Sequence, residues 1–158
     1  MRMNDYAYRG ARALVLLHDA HLRAFLATWK RAKEAGVVLA AAEDPAYASM
    51  AALLRHVLGA ARGYMTWCCE VLELPDPEIG APPEEDGIAA EADAYLVHLL
   101  ERWDGPLCSV PPERFEDRAH ASRWGTPYCV DAMLEHAVMH PIRHAFQLER
   151  LMTACLGS

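Results

Sequence analysis

Three histidines recur at every fourth position of one segment: His136, His140 and His144 in LEHAVMHPIRHAFQLERL, residues 134–151. On an α-helix, residues four apart lie one above the other, about 6 Å along the axis at a rise of 1.5 Å per residue. Two imidazoles at that spacing can converge on one divalent ion, as the two histidines of an H-E-x-x-H helix do. The apolar pattern separates the three. His144 falls seven residues after Ala137 and four before Leu148, on the apolar stripe itself. His140 falls at the edge of that stripe, and His136 is turned a further ~40° away, so it is expected to be more exposed. Two ligands leave an ion under-coordinated, and a third must come from a facing helix. His56, three after Leu53 and four before Ala60, is the candidate. Three neutral imidazoles leave the ion's charge uncompensated and coordination positions open, the pattern of a catalytic site rather than a closed structural one. Spacing alone is equally compatible with histidines that are merely solvated or at the edge of the core. Pro141 stands between His140 and His144. In a helix interior it removes a donor and clashes with the carbonyl of Ala137, at a cost of about 3 kcal/mol. A break there would spoil the pair; a kink opening toward a pocket would not.

Four helical segments must position these residues. The first spans about Tyr8 to Lys33, with Leu14, His18, His21, Phe25 and Trp29 on one face and Gly36 as its stop. The second spans about Pro45 to Leu74, with Asp44 as cap, Pro45 at the first helical position, and Pro75 and Pro77 at its end. The third spans about Glu84 to Trp103, its acidic first turn suited to the positive end of a helix dipole. The fourth starts at Thr126-Pro127 and reaches about Cys155. Residues 105–126 read as a long connection with three prolines, carrying Arg114, Arg118, His120, Arg123 and Trp124. Loops this long are often functional. No segment alternates with period two over any length, so no sheet is expected. Four long amphipathic helices in one 158-residue domain argue for an all-α four-helix bundle.

Composition bounds the function. The net charge is −7 with histidine neutral, and the fifteen Lys and Arg are scattered, which argues against nucleic acid and against anionic membranes. Five cysteines, an odd count without a C-x-x-C pair, read as reduced thiols. The N-terminus MRMNDYAYRGAR has no leader-like apolar stretch, and no run is long enough to span a membrane. A cytoplasmic protein is expected.

The stretches RHVLGAARGYMTW (residues 55–67) and LEHAVMHPIRHAFQLERL (residues 134–151) make the chain resemble the DinB-like family of bacterial four-helix bundles, also called YfiT-like or damage-inducible. In that family a His-x-x-x-His pair precedes a Gln by three residues, here His140, His144 and Gln147. The resemblance implies a metal site on His56, His140 and His144 holding nickel or zinc, with iron or manganese as alternatives. It also implies a homodimer. Some relatives are metal-dependent transferases or isomerases that use low-molecular-weight thiols such as bacillithiol or mycothiol; many have no established activity. The chain departs from the pattern at Pro141 and at Ala145-Phe146, where Arg-Gly is common. It does not carry the resemblance into the extra C-terminal domain of the mycothiol-dependent isomerase, so that activity is not implied.

Other residues carry two readings each. His18 and His21, on the inner face of the first helix, are candidate ligands, general bases or substrate contacts; the plain alternative is a buried histidine bonded to a carbonyl or to Asp19. Gln147 is either a group orienting His144 or a surface amide. Trp67, Tyr64 and Trp29 either line an apolar pocket over the metal or belong to the core. Cys68 and Cys69 lack a basic neighbour that would lower a thiol pKa and read as buried and inert. Arg114, Arg118 and Arg123 either clamp a carboxylate or sit in a solvated loop. The functional alternatives are therefore a metal-dependent thiol S-transferase or hydrolase acting in detoxification, a noncatalytic metal-binding stress-response bundle, and a bundle whose histidines bind nothing.

Overall fold

A computed structural model describes residues 6–40 and 42–157. The reading of the extreme N-terminus, residues 1–5, lies outside the described residues. The chain forms an all-α helical bundle with long helices α1 (Arg9–Glu34), α2 (Met50–Val71), α3 (Ile88–Trp103) and α5 (Val130–Leu156), and one short helix, α4 (Glu113–Glu116). Among the described residues no helix is long and apolar enough to cross a membrane.

The period-3.6 stripes are what the bundle buries. Val15, Leu22, Phe25 and Trp29 of α1, Leu54, Val57 and Leu58 of α2, Ile88, Leu96 and Leu99 of α3, and Met133, Leu134 and Leu148 of α5 lie in one core. α1 runs along α5 in the most extended contact, and α2 packs on both α5 and α3. Two tryptophans fix α2 between its neighbours while satisfying their own N–H groups. Trp29 donates to the Met50 carbonyl at 2.7 Å, and Trp103 to the Ala61 carbonyl at 3.1 Å.

Helix ends differ from the sequence reading for identifiable reasons. α1 closes at Gly36, φ +72°, where Val37 N–H bonds the Ala32 carbonyl and Gly36 N–H bonds Lys33. Asp44 and Pro45 start only a single 3₁₀ turn, Pro45–Tyr47, with Asp44 Oδ1 accepting from Ala46 N–H at 2.9 Å. The backbone then breaks into an extended Ser49, whose Oγ accepts from Ala52 N–H at 2.9 Å and caps α2. α2 ends at Val71, before the prolines: Glu73 takes φ +57° and Leu74 N–H bonds the Cys69 carbonyl. α3 begins four residues later than Glu84, because Glu84 to Asp86 form a turn whose Glu84 carbonyl receives Gly87 and Ile88 N–H.

The expectation of no sheet is corrected. Residues His120–Ala121 (β1) and Pro127–Tyr128 (β2) pair antiparallel around a turn with Gly125 at φ +89°. Pro127 therefore belongs to a strand, and α5 starts at Val130. Two-residue strands are too short to show alternation. α5 is continuous from Val130 to Leu156 with Pro141 inside it, so the helix that carries His140 and His144 is not broken between them.

Candidate metal centre

α2 and α5 bring His56, His140 and His144 together. One ring nitrogen from each lies within 4.8 Å of the others. The rings of His140 and His144 are 4.7 Å apart, those of His56 and His140 5.0 Å, and those of His56 and His144 5.5 Å. The 4.7 Å separation is what one continuous helix turn provides, and it survives Pro141. His144 is fully buried, His140 is 4 % exposed, and His56 is half-buried at the solvent side of the group. The wheel order is therefore correct: His144 on the stripe, His140 at its edge, His136 farther out.

The donor set suits a cation. His56 Nε2 and His140 Nε2 are 3.1 Å apart. Two nitrogens bound to one zinc-like ion at about 2.0–2.1 Å each, at a tetrahedral angle, are separated by about 3.3 Å. His144 Nδ1 lies 2.9 Å from Gln147 Oε1. An amide oxygen only accepts, so the ring proton sits on Nδ1 and the lone pair is left on Nε2. That Nε2 is buried and has no hydrogen-bond partner. A hydrogen bond between His56 and His140 would satisfy those two Nε2 atoms without any ion; nothing among the described residues satisfies Nε2 of His144. Such an atom costs about 1–3 kcal/mol, which an electron-pair acceptor at the centre of the group would remove.

The electrostatics keep all three rings neutral. Burial, then the neighbouring His144, His56 and Arg143, pushes His140 down to about 2. Burial pushes His144 down to about 4 against the opposing hydrogen bond of Gln147. Burial lowers His56 while Asp44 opposes the shift. Lone pairs are thus available near pH 7 without displacing ligand protons, and no carboxylate joins the group among the described residues.

The site opens on one side. His56 lines a cavity of about 690 Å³ that also takes in Tyr64, Trp67, Trp124 and Arg123. Trp67 is held there by its N–H, which donates to the Ala121 carbonyl of the hairpin at 2.9 Å. Trp29 is not a pocket residue; it is spent on the α1–α2 contact. Arg123 lines the cavity, whereas Arg114 lies 4.0 Å from Asp117 and Arg118 is exposed. Cys68 and Cys69 are buried, and burial raises both thiols, Cys69 to about 11.

His18 and His21 do not join the group. His18 is buried on α1 and stacks on Trp103 with ring centroids 3.7 Å apart. Neither of its nitrogens has a hydrogen-bond partner among the described residues, and Asp19 turns instead to Arg23 at 2.7 Å. The bond to Asp19 or a carbonyl is thus absent. His21 is half-buried on the same helix and is not part of the group.

One neighbour was not singled out from the sequence, and another was set aside. Tyr47 stands 5.9 Å from His56 and 5.8 Å from His144, ring to ring. Its signal was the second cap, Ser49, which separates the 3₁₀ turn from α2. His136, set aside for its exposure, packs against Tyr64, Tyr128 and Trp124 at 5.3–5.6 Å. Only the hairpin fold brings Trp124 and Tyr128 to it.

No family model matches the chain, and neither a curated protein nor a solved structure matches it significantly. The class that fold and site define is an all-α helical bundle with a buried three-histidine cluster capable of holding a metal ion.

Proposed function

We propose that the protein binds one divalent ion, nickel or zinc, on His56, His140 and His144 and uses it on a small molecule in the adjoining cavity. The observation that carries this reading is His144, whose Nε2 is buried and without a partner among the described residues and whose ring packs with two further neutral imidazoles. Bound there, the ion supplies Lewis acidity at positions no protein ligand fills. Gln147 would hold His144 in its tautomer, and Trp67 would shield the cavity from water. The reaction class is transfer of a low-molecular-weight thiol to an electrophile, or hydrolysis. The resemblance to the DinB-like family supports that choice and adds a homodimer with a role in stress response or detoxification; length, charge and cysteine usage support a single domain and a cytoplasmic location.

Metal analysis of untagged protein tests the site. One nickel or zinc ion per chain is expected, with His140→Ala losing it and chelation lowering the melting temperature. At a free-metal concentration of 100 times Kd the expected stabilisation is about 2.7 kcal/mol. Substoichiometric metal together with a melting curve indifferent to chelator overturns the reading. Conjugation of bacillithiol or glutathione to a set of electrophiles then tests the chemistry; equal rates in wild type and His140→Ala exclude it. The burial of His140 and His144 favours a second reading, a noncatalytic ion that ties α2 to α5. It requires the same metal and the same stabilisation with no turnover.

A further inference from the structure

The cavity beside the histidines has a chemical polarity of its own. The chain as a whole carries a net charge of −7, yet the cavity lining holds three arginines against one carboxylate, Glu85. Arg55 is engaged: its Nε donates to the Pro83 carbonyl at 3.1 Å and its Nη2 to Glu84 at 2.9 Å. Arg62 commits only its Nε, to the Ile79 carbonyl at 2.8 Å. Its two terminal nitrogens meet no acceptor among the described residues. Arg123 reaches Glu70 only at 3.5 Å, in an exposed pair, and such pairs hold weakly. Two guanidiniums with donors to spare therefore line the same cavity, Arg123 at its Gly63 end, where Nη1 stands 3.9 Å from the position a Cβ of Gly63 would take.

The floor between that point and His56 is the face of α2 made by Gly59, Ala60 and Gly63. Glycine in a helix interior is destabilising relative to alanine, so each glycine needs a reason. Packing does not supply it. Beyond its own stretch of helix, a Cβ at Gly63 would come no closer than 3.9 Å to a neighbour, Nη1 of Arg123, and one at Gly59 no closer than 3.6 Å, to Pro82. What the two glycines preserve is the open volume above them. Tyr64, Trp67 and Trp124 provide aromatic walls. Seven residues of helix separate His56 from Gly63, about 10 Å along the axis.

We propose that this cavity binds an elongated organic acid with a flat apolar body. The carboxylate is held by Arg62 and Arg123, the body lies over Gly59 and Gly63 between the aromatic walls, and the far end reaches His56. The inference deepens the metal reading, on which the role of the far end rests; the ligand class rests on the cavity alone. Paired guanidinium donors suit a carboxylate, and a mainly apolar pocket with few placed polar groups suits a small molecule.

Calorimetric titration with 4-phenylbutyrate and with its neutral amide, 4-phenylbutanamide, tests this on the whole chain, once in chelator and once with zinc. The acid is expected to bind about tenfold tighter than the amide or better. Arg123→Gln is expected to weaken the acid about tenfold while leaving the amide unchanged. Gly63→Leu is expected to abolish binding of both while melting no lower than wild type. Equal affinity for acid and amide, no uptake of either, or an Arg123→Gln variant that binds the acid like wild type overturns the proposal. The two readings fail separately. Stoichiometric zinc with no uptake of 4-phenylbutyrate overturns the ligand class and leaves the metal; discrimination of acid from amide in a chain that never takes up zinc does the reverse.

Discussion

The contact between His144 and Gln147 decides which nitrogen His144 can offer to an ion. An imidazole whose Nδ1–H is committed to an amide oxygen has one lone pair left, and here it is buried in a ring packed with two other neutral imidazoles. Gln147 thus sets a tautomer rather than contributing a ligand. Gln147→Leu should leave the fold intact, since this amide is exposed, but should weaken metal binding about 10- to 100-fold, the usual cost of removing a ligand's hydrogen-bond partner. Competition with a chelator of known affinity measures this; an unchanged affinity would show that the proton position is set by something else. The glutamine was legible in the sequence as three residues past His144, on the same side of the helix. Whether it met the ring or the solvent depended on a rotamer, which no spacing contains.

At the scale of elements, the site depends on where α2 starts. The Asp44-Pro45 signal is real and does cap a turn, but Ser49 competes for the same role seven residues before His56 and is the residue that starts the long helix. The break between the two caps turns Tyr47 back over the histidines. Ser49→Ala removes the acceptor for Ala52 N–H and is expected to cost about 1 kcal/mol, read as a shift in the urea midpoint without a change in slope. A loss near zero would mean that the 3₁₀ turn continues into α2 without it. The hairpin His120–Tyr128 is the element the sequence hid most completely. Its strands are two residues each, and its stability comes from contacts such as Trp67 to Ala121 across 54 residues of chain. A periodicity argument sees neither.

The whole molecule carries a buried titratable group away from the site. His18 is sealed between α1 and Trp103, and burial lowers its pKa from 6.5 to about 3. The unfolded chain restores the ordinary value. Between those two values the unfolded state binds a proton that the folded state does not, so the folded state's advantage is complete above the unfolded pKa and shrinks as pH falls from 6.5 toward 3. For this one group the slope reaches about 1.4 kcal/mol per pH unit. Urea unfolding in chelator at a series of pH values from 7 downward should show His18→Leu losing less stability on acidification than wild type, by up to that slope. Parallel curves would mean that His18 protonates within the fold. The other buried histidines titrate in both proteins and cancel in the comparison.

Helix periodicity, four amphipathic segments and the i,i+4 pair His140 and His144 are determined by the sequence alone, because side-chain direction on a helix follows from a fixed rotation per residue. That same rule placed His144 inside, His140 at the edge and His136 outward. The partnership with His56 could be named from its place on the stripe of α2, but only packing of α2 on α5 brings its ring to 5.0–5.5 Å from the other two. Pro141 could not be judged without the rest of the molecule, since its cost is local while the burial that holds α5 in one piece is spread along the bundle. The cavity was least legible of all. It is made of residues from the Pro45–Tyr47 turn, α2, the 75–87 connection, the hairpin and α5, so its charge and its open floor exist only once distant segments meet.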